Sequence, residues 1–204
     1  MRLAFLSLAA SVMAFAGCAS FSAPPSLAPL SLEAGDYRLD PHHTTVLWKV
    51  DHLGGLSKFV GRFDEVTGVM SFDPAKPEQG KIDIRIVATS VSTSVPGFSN
   101  TIAKTVFDSN DHPEIRFVST DIKTVDDQTG IALGELTMRG VTRPESIQIK
   151  YNGSKINPLN GKETLGFEAK AEISRSDYGA TAWTIFGVGD SIDLEVYSEF
   201  IRSE

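Results

Sequence analysis

The chain has 204 residues, a formal net charge of −7 and 41% apolar residues. That acidic balance argues against a nucleic-acid binder, or a protein that reaches an anionic bilayer through basic patches. A single cysteine excludes a disulfide framework. In chain order, residues 1–17 read first as an export signal, with Arg2 as its charged start, an apolar run from Leu3 to Phe15, and small residues before Cys18. The run is shorter than the about 20 residues a transmembrane helix needs.

Phe15-Ala16-Gly17-Cys18 is similar to the lipobox of bacterial lipoproteins, which implies a diacylated Cys18. Phe15 stands where Leu is usual. Ala19 follows where an inner-membrane retention signal usually carries Asp, so the expected location is the periplasm, anchored to the outer membrane through Cys18. Residues 18–35 hold three prolines and a single charge, Glu33. This stretch reads as a flexible tether of roughly 20–25 Å. One folded domain is expected over 36–204.

Within that domain the apolar period is two. Thr44, Val46, Trp48, Val50 and His52 alternate with Thr45, Leu47, Lys49 and Asp51, as one face of a strand requires. Gly54-Gly55 breaks the run, and Phe59 and Phe63 follow in a second extended piece. Strands are expected again at Val66 to Phe72, at Ile82 to Ala88 and at Ile115 to Ile122. Further strands cover Leu133 to Met138, Glu145 to Tyr151, Leu165 to Ile173 and Ile192 to Phe200. Asp126 to Gly130 reads as a turn, and Asn152-Gly153 as the start of a polar loop through Gly161. Only Asn100 to Phe107 looks helical, with Ser99 or Asn100 as its cap.

About eight long antiparallel strands must pack as two sheets or close into a barrel, and a one-sided apolar face favours the barrel. Such a barrel is filled by side chains or holds one small apolar ligand. Twelve Phe and two Trp are many for one domain. Phe98, Phe107, Trp183 and Phe186 fall in helix or loop positions suited to closing a mouth. The same aromatics would also serve a filled core, and composition leaves both arrangements open.

Four histidines, His42, His43, His52 and His112, raise the question of a metal. Their spacing matches no metal motif, and adjacent strand residues such as His42 and His43 point to opposite faces. No metal site is expected. Nor is catalysis: there is no Gly-x-Ser-x-Gly, and Asp126-Asp127 sits in a turn where solvated charge is the default. Gly140 is expected to supply the positive φ of a hairpin bulge, and Arg175 and Asp177 to pair across a strand end.

His43-Thr44 followed by Trp48, Val50 and His52-Leu53-Gly54 resembles the "HS…F.V.H" opening of the YceI-like proteins. Gly61-Arg62-Phe63 and Phe72-Asp73 resemble the next two landmarks, and His112 to Phe117 the "yP.i.F" segment. Gly134 to Pro144 is similar to "G.LT..G.T.P". Arg175 to Gly179 and Gly187 to Asp190 match the closing landmarks. The resemblance implies an all-β, extended antiparallel eight-stranded lipocalin-like barrel with one short helix. It also implies a long apolar ligand. Isoprenoid, quinone-like and fatty lipids stay open; no cofactor is expected.

The Asp-x-His-Leu element of the family is replaced here by Asn100-Thr101-Ile102-Ala103, so a different headgroup, or a fatty acyl ligand, is in question. The residues expected to line the ligand are Trp48, Val50, Phe59 and Phe63; Ile84, Ile86, Ile102 and Phe107; and Phe117, Leu136, Phe167 and Trp183. His43 and Arg116 are the headgroup candidates. The expected partners are the lipid and, through the anchor, the membrane, but no nucleic acid; a homodimer stays open. The competing functional reading is a ligand-free interaction barrel that docks on a membrane or redox partner.

Overall fold

The structure, a computed structural model, describes residues 34–203. The export segment, Cys18 and nearly all of the expected tether lie outside the described residues. The period-two stretches become antiparallel strands. Along the first half of the chain these are β1 (Gly35–Leu39), β2 (Thr45–His52), β3 (Ser57–Phe63), β4 (Val66–Phe72), β5 (Lys81–Val87) and β6 (Val91–Thr93). The second half supplies β7 (Glu114–Thr124), β8 (Thr129–Met138), β9 (Val141–Ile156), β10 (Glu163–Ser174) and β11 (Ser191–Arg202).

Eight of them close a ring in the order β1-β4-β5-β7-β8-β9-β10-β11, with β11 returning to β1. Strands β2, β3 and β6 extend one end of that ring. Both β1 and β2 pair with β11, at Leu39↔Phe200 and Thr45↔Tyr197, so they form one long strand interrupted by a turn at Pro41–His43. The pairs β3/β4 and β5/β6 are interrupted in the same way. The architecture is therefore an eight-stranded antiparallel barrel.

The barrel alternates as the sequence does. Val46, Trp48 and Val50 of β2 are buried, as are Ile115 and Phe117 of β7 and Leu165 and Ile173 of β10. Between them, outward residues form ion pairs such as Lys49–Glu195 at 2.9 Å. At the seam between β1, β10 and β11, buried Glu163 accepts from the Tyr37 hydroxyl at 3.1 Å and lies 3.3 Å from Arg202. Burial, then that hydrogen bond, pushes the Tyr37 hydroxyl up to about 12.

The helix α1 (Phe98–Thr105) covers the end built from β2, β3 and β6. Ser99 Oγ accepts from the Thr93 amide of β6, and Arg139, in the β8–β9 turn, donates to the Val106 carbonyl at 3.0 Å. The helix thus bridges strands that do not pair directly, with Ile102 and Ala103 buried beneath it. Neither expected cap operates: the N-cap is Gly97 in the left-handed region, at φ 76.

Three local expectations are corrected. β9 does not stop at Asn152; it runs to Ile156 because β10 supplies partners for it on both sides of a bulge at Gly166/Phe167. Gly140 makes no bulge. Arg139 and Gly140 have φ values of 53 and 74 between the paired Met138 and Val141, which is a two-residue turn matched to strand twist. Arg175 does not pair with Asp177; its actual partners are backbone carbonyls at the barrel mouth.

Candidate functional site

Two cavities occupy the barrel, one toward each end. The first, about 580 Å³, lies under α1 and the loop of residues 176–190, and is called the lid cavity here. Its wall includes Trp48 and Val50 of β2, Phe59 and Phe63 of β3, Ile86 of β5, Leu136 of β8, Ile102 of α1, and Phe107 and Trp183 from loops. Nine of the twelve expected lining residues therefore meet here. The second, about 680 Å³, opens between the β4–β5 and β7–β8 turns and is called the turn cavity. It takes Phe117 and Phe167. The twelfth, Ile84, lines neither; its Cδ1 lies over Gly68, where a Cβ would come within 2.5 Å of it.

Aromatic rings organise the lid cavity. Phe63 and Phe107 pack edge to face at 5.1 Å between centroids, Phe98 and Trp183 lie 5.4 Å apart, and Trp48 sits 5.9 Å from Phe59. Such pairs hold their geometry because ring quadrupoles favour tilted contacts. At the mouth, Gly54 donates to the Gly187 carbonyl and Gly189 to the Asp51 carbonyl, each at 2.8 Å. Gly187 has to be glycine: its φ is 79, and a Cβ would meet the Gly54 nitrogen at 2.9 Å. Leu53 and Trp183 also adopt positive φ at this mouth, a conformation that costs energy for residues with a side chain. Leu53, Ile185 and Phe186 are exposed around it.

The lid is tied down by Arg175, which is 3% exposed. Its Nε donates to Gly189 O at 2.7 Å, Nη1 to the carbonyls of Ala180 and of Ala182, and Nη2 to Val188 O at 3.2 Å. Burial lowers its pKa, while Asp190 pulls in the opposite direction. The guanidinium fork is therefore a strut, holding both limbs of the 180–189 loop to the end of β10.

The turn cavity is apolar inside and charged at its rim. Met70, Phe72, Ile82, Ile147, Ile149 and Tyr151 form much of its wall, and Glu78, Asp126 and Asp127 stand at its opening. Asp126 is held by its own turn, accepting from the amides of Gln128 and Thr129 and from Thr129 Oγ1 at 2.6 Å. The Thr129 hydroxyl bond, followed by those amides, lowers its pKa. Phe117 faces this cavity while its ladder partner Leu136 faces the other, so the boundary runs between them.

The two headgroup candidates are outside the barrel. Arg116 alternates with inward Ile115 and Phe117, and forks onto Asp83 at 2.9 and 2.6 Å. That pair raises the Arg116 pKa and lowers that of Asp83. Arg116 lines neither cavity. His43 stands on the Pro41–His43 turn, not on a strand, with Nδ1 2.8 Å from Asp40 Oδ2. Its pKa is raised by the Asp40 hydrogen bond; burial raises Asp40, but the His43 and His42 bonds outweigh it and leave Asp40 lowered. Asp40, His43 and Glu199 offer ligand atoms within 4.8 Å of one another, the grouping among the described residues that could hold a cation.

Sequence reasoning had the turn cavity's wall in view but not as a second space. Ile147, Ile149, Tyr151 and Phe200 fall on the inward register of strands already identified. Ile192 and Leu194, which line the lid cavity, carried the same signal. The role of Arg175 had no such signal, since its partners are carbonyls.

Comparison with known proteins gives one domain match, the YceI-like domain, over residues 37–200. A UPF0312 protein of Pseudomonas putida is 33% identical over 177 residues, covering 84% of this chain and 88% of its own. Among solved structures, BcnA of Burkholderia cenocepacia is similar with a TM-score of 0.71 at 21% identity, over 79% of this chain and 98% of that one. A polyisoprenoid binding domain from Saccharophagus degradans is similar with a TM-score of 0.63 at 12% identity, over 82% and 98% of the two chains.

Proposed function

The chain belongs to the YceI-like family, and from that premise and its two apolar cavities we propose that it carries, stores or senses a long-chain lipid of isoprenoid or fatty acyl type. The observation that carries this reading is the lid cavity: among its lining side chains none bears an oxygen, and eight are aromatic rings or imidazole. Burial of each CH₂ contributes roughly 0.8 kcal/mol, so a chain of ten or more carbons needs few polar contacts. Leu53, Ile185 and Phe186 give the mouth an apolar rim suited to taking a lipid from a membrane. The role is binding rather than catalysis, exercised in the periplasm from an anchor at Cys18.

Two measurements test it. Delipidated protein should bind a fluorescent fatty acyl probe with saturable stoichiometry, and unlabelled long-chain lipid should displace it. A protein that takes up neither is the ligand-free interaction barrel instead. For the anchor, Cys18→Ser should move the protein from the membrane fraction to the soluble periplasm. Unchanged fractionation would show that lipidation at this site does not hold it.

A further inference from the structure

The turn cavity, about 680 Å³, differs from the lid cavity in the charge at its opening. Every charged residue that lines it is acidic: Glu78 on the β4–β5 turn, and Asp126 and Asp127 on the β7–β8 turn. The first turn packs on β7 just before the second, since a Cβ on Gly80 would come within 3.2 Å of Ile122 Cδ1. Asp126 is engaged by its own turn, whereas Glu78 and Asp127 are exposed and hold no ion pair among the described residues. No Lys, Arg or His lines the cavity. Lys81, Lys123 and Lys150 stand beside the lining residues Ile82, Ile122 and Ile149, so strand alternation turns them to the outer face. Lys150 reaches Glu168 there at 3.8 Å. Lys76 shares a turn with Glu78 but is not part of the lining.

Behind the carboxylates stand three rings. Phe72 lies 6.4 Å from both Tyr151 and Phe167, which are 5.3 Å from each other. They are level with the opening: Phe72 ends β4 at the first turn, and the Tyr151 amide donates to the Gln128 carbonyl of the second at 2.7 Å. All three line the cavity and stay partly exposed, so a ligand can reach them. An apolar chain gains from the wall deeper in. Aromatic faces attract cations, and a weakly hydrated quaternary ammonium is the group such rings receive best. A primary ammonium is strongly hydrated and gains little from exposed carboxylates. An anionic headgroup is repelled at this opening.

We propose that the turn cavity is a second binding site, for an amphiphile that ends in a quaternary ammonium. Its apolar chain lies against Phe117, Ile147 and Ile149, and its cation rests among Phe72, Tyr151, Glu78 and Asp127. This goes beyond the lipid-binding reading, which the lid cavity carries, and stands or falls apart from it.

Decyltrimethylammonium and decyl sulfate, titrated calorimetrically into the delipidated full chain below their micelle concentrations, differ in headgroup charge at one chain length. The cation should bind one-to-one and about tenfold more tightly than the anion. In the Glu78→Gln, Asp127→Asn double variant, which alters exposed turn residues alone, that ratio should fall to about threefold. Phe72→Leu, which keeps an apolar wall, should weaken the cation and spare the anion. Amide resonances of Gln128, Ile147 and Ile149 should move with the cation, while the indole resonances of Trp48 and Trp183, in the lid cavity, should not. Equal affinity for the two amphiphiles, a ratio unchanged in the double variant, equal weakening of both by Phe72→Leu, or shifts confined to the indoles overturns the inference. If the cation fails to bind while the fluorescent fatty acyl probe does, the second site falls and lipid binding stands. If the cation binds at the turn cavity and the fatty acyl probe binds nowhere, the second site stands and the lipid-binding reading falls.

Discussion

The two ends of this barrel hold cavities of similar size and similar strand-derived walls, yet they are closed in different ways. At one end a loop is tied down by a buried guanidinium, and aromatic rings from α1, β3 and residue 183 close over apolar space. At the other, short turns carry Glu78, Asp126 and Asp127 to the opening, and Asp126 is engaged by its own turn. The strands supply the same period-two apolar surface throughout. What differs is the chemistry of the connections, so closure belongs to the loops while the space belongs to the strands.

The strongest way to break this asymmetry is Arg175→Met, which keeps much of the apolar stem and removes the fork. Four carbonyls lose their donor, and the 180–189 loop loses its tie to β10. We expect a loss of about 3 kcal/mol in denaturant unfolding and much faster release of lipid from the lid cavity. A variant as stable and as retentive as native protein would mean the lid is held by something else.

Phe117→Ala acts on the boundary between the two spaces. A phenylalanine deleted from a filled core costs about 3–5 kcal/mol. Phe117 already borders the turn cavity, so we expect about 2 kcal/mol for the delipidated protein, with part of the cavity term absent. Joining the cavities should also shift preference toward longer tails, measured by competition among chain lengths. Full core cost with no change in preference would mark Phe117 as part of a solid partition.

A smaller effect comes from the outer surface. The His43 pKa is raised by Asp40, so its contribution is fully present below its unfolded value near 6.5 and is lost as pH rises through the folded value. Asp40 is lowered, so its contribution is present above its unfolded value near 3.8 and lost as pH falls through the folded value. Native protein should therefore exceed His43→Gln in stability most clearly between about pH 4 and 6.5, with the difference fading on both sides. Lipid affinity should not change, because His43 lies outside both cavities. Loss of binding in His43→Gln would return it to the headgroup role.

The fold was legible because strand alternation is a local signal: Trp48, Val50, Phe117, Phe167 and their neighbours declare an inner face without knowledge of their partners. Residue types that act through distant partners were not. Arg116 resembled a headgroup ligand only while Asp83, 33 positions away, was unknown as its partner. Arg175 sat in a recognisable motif, but the carbonyls of residues 180–189 that it gathers carry no side-chain signature. The division of the interior into two cavities also depends on which strand positions share a level of the barrel, and register is set by pairing that no single stretch reveals.

Native mass spectrometry of protein purified without detergent stripping, followed by solvent extraction of the same sample, tests the central claim most directly. A stoichiometric long-chain lipid should be bound by the intact barrel and lost from Arg175→Met. A native protein that remains empty after exposure to cell lipids would contradict it.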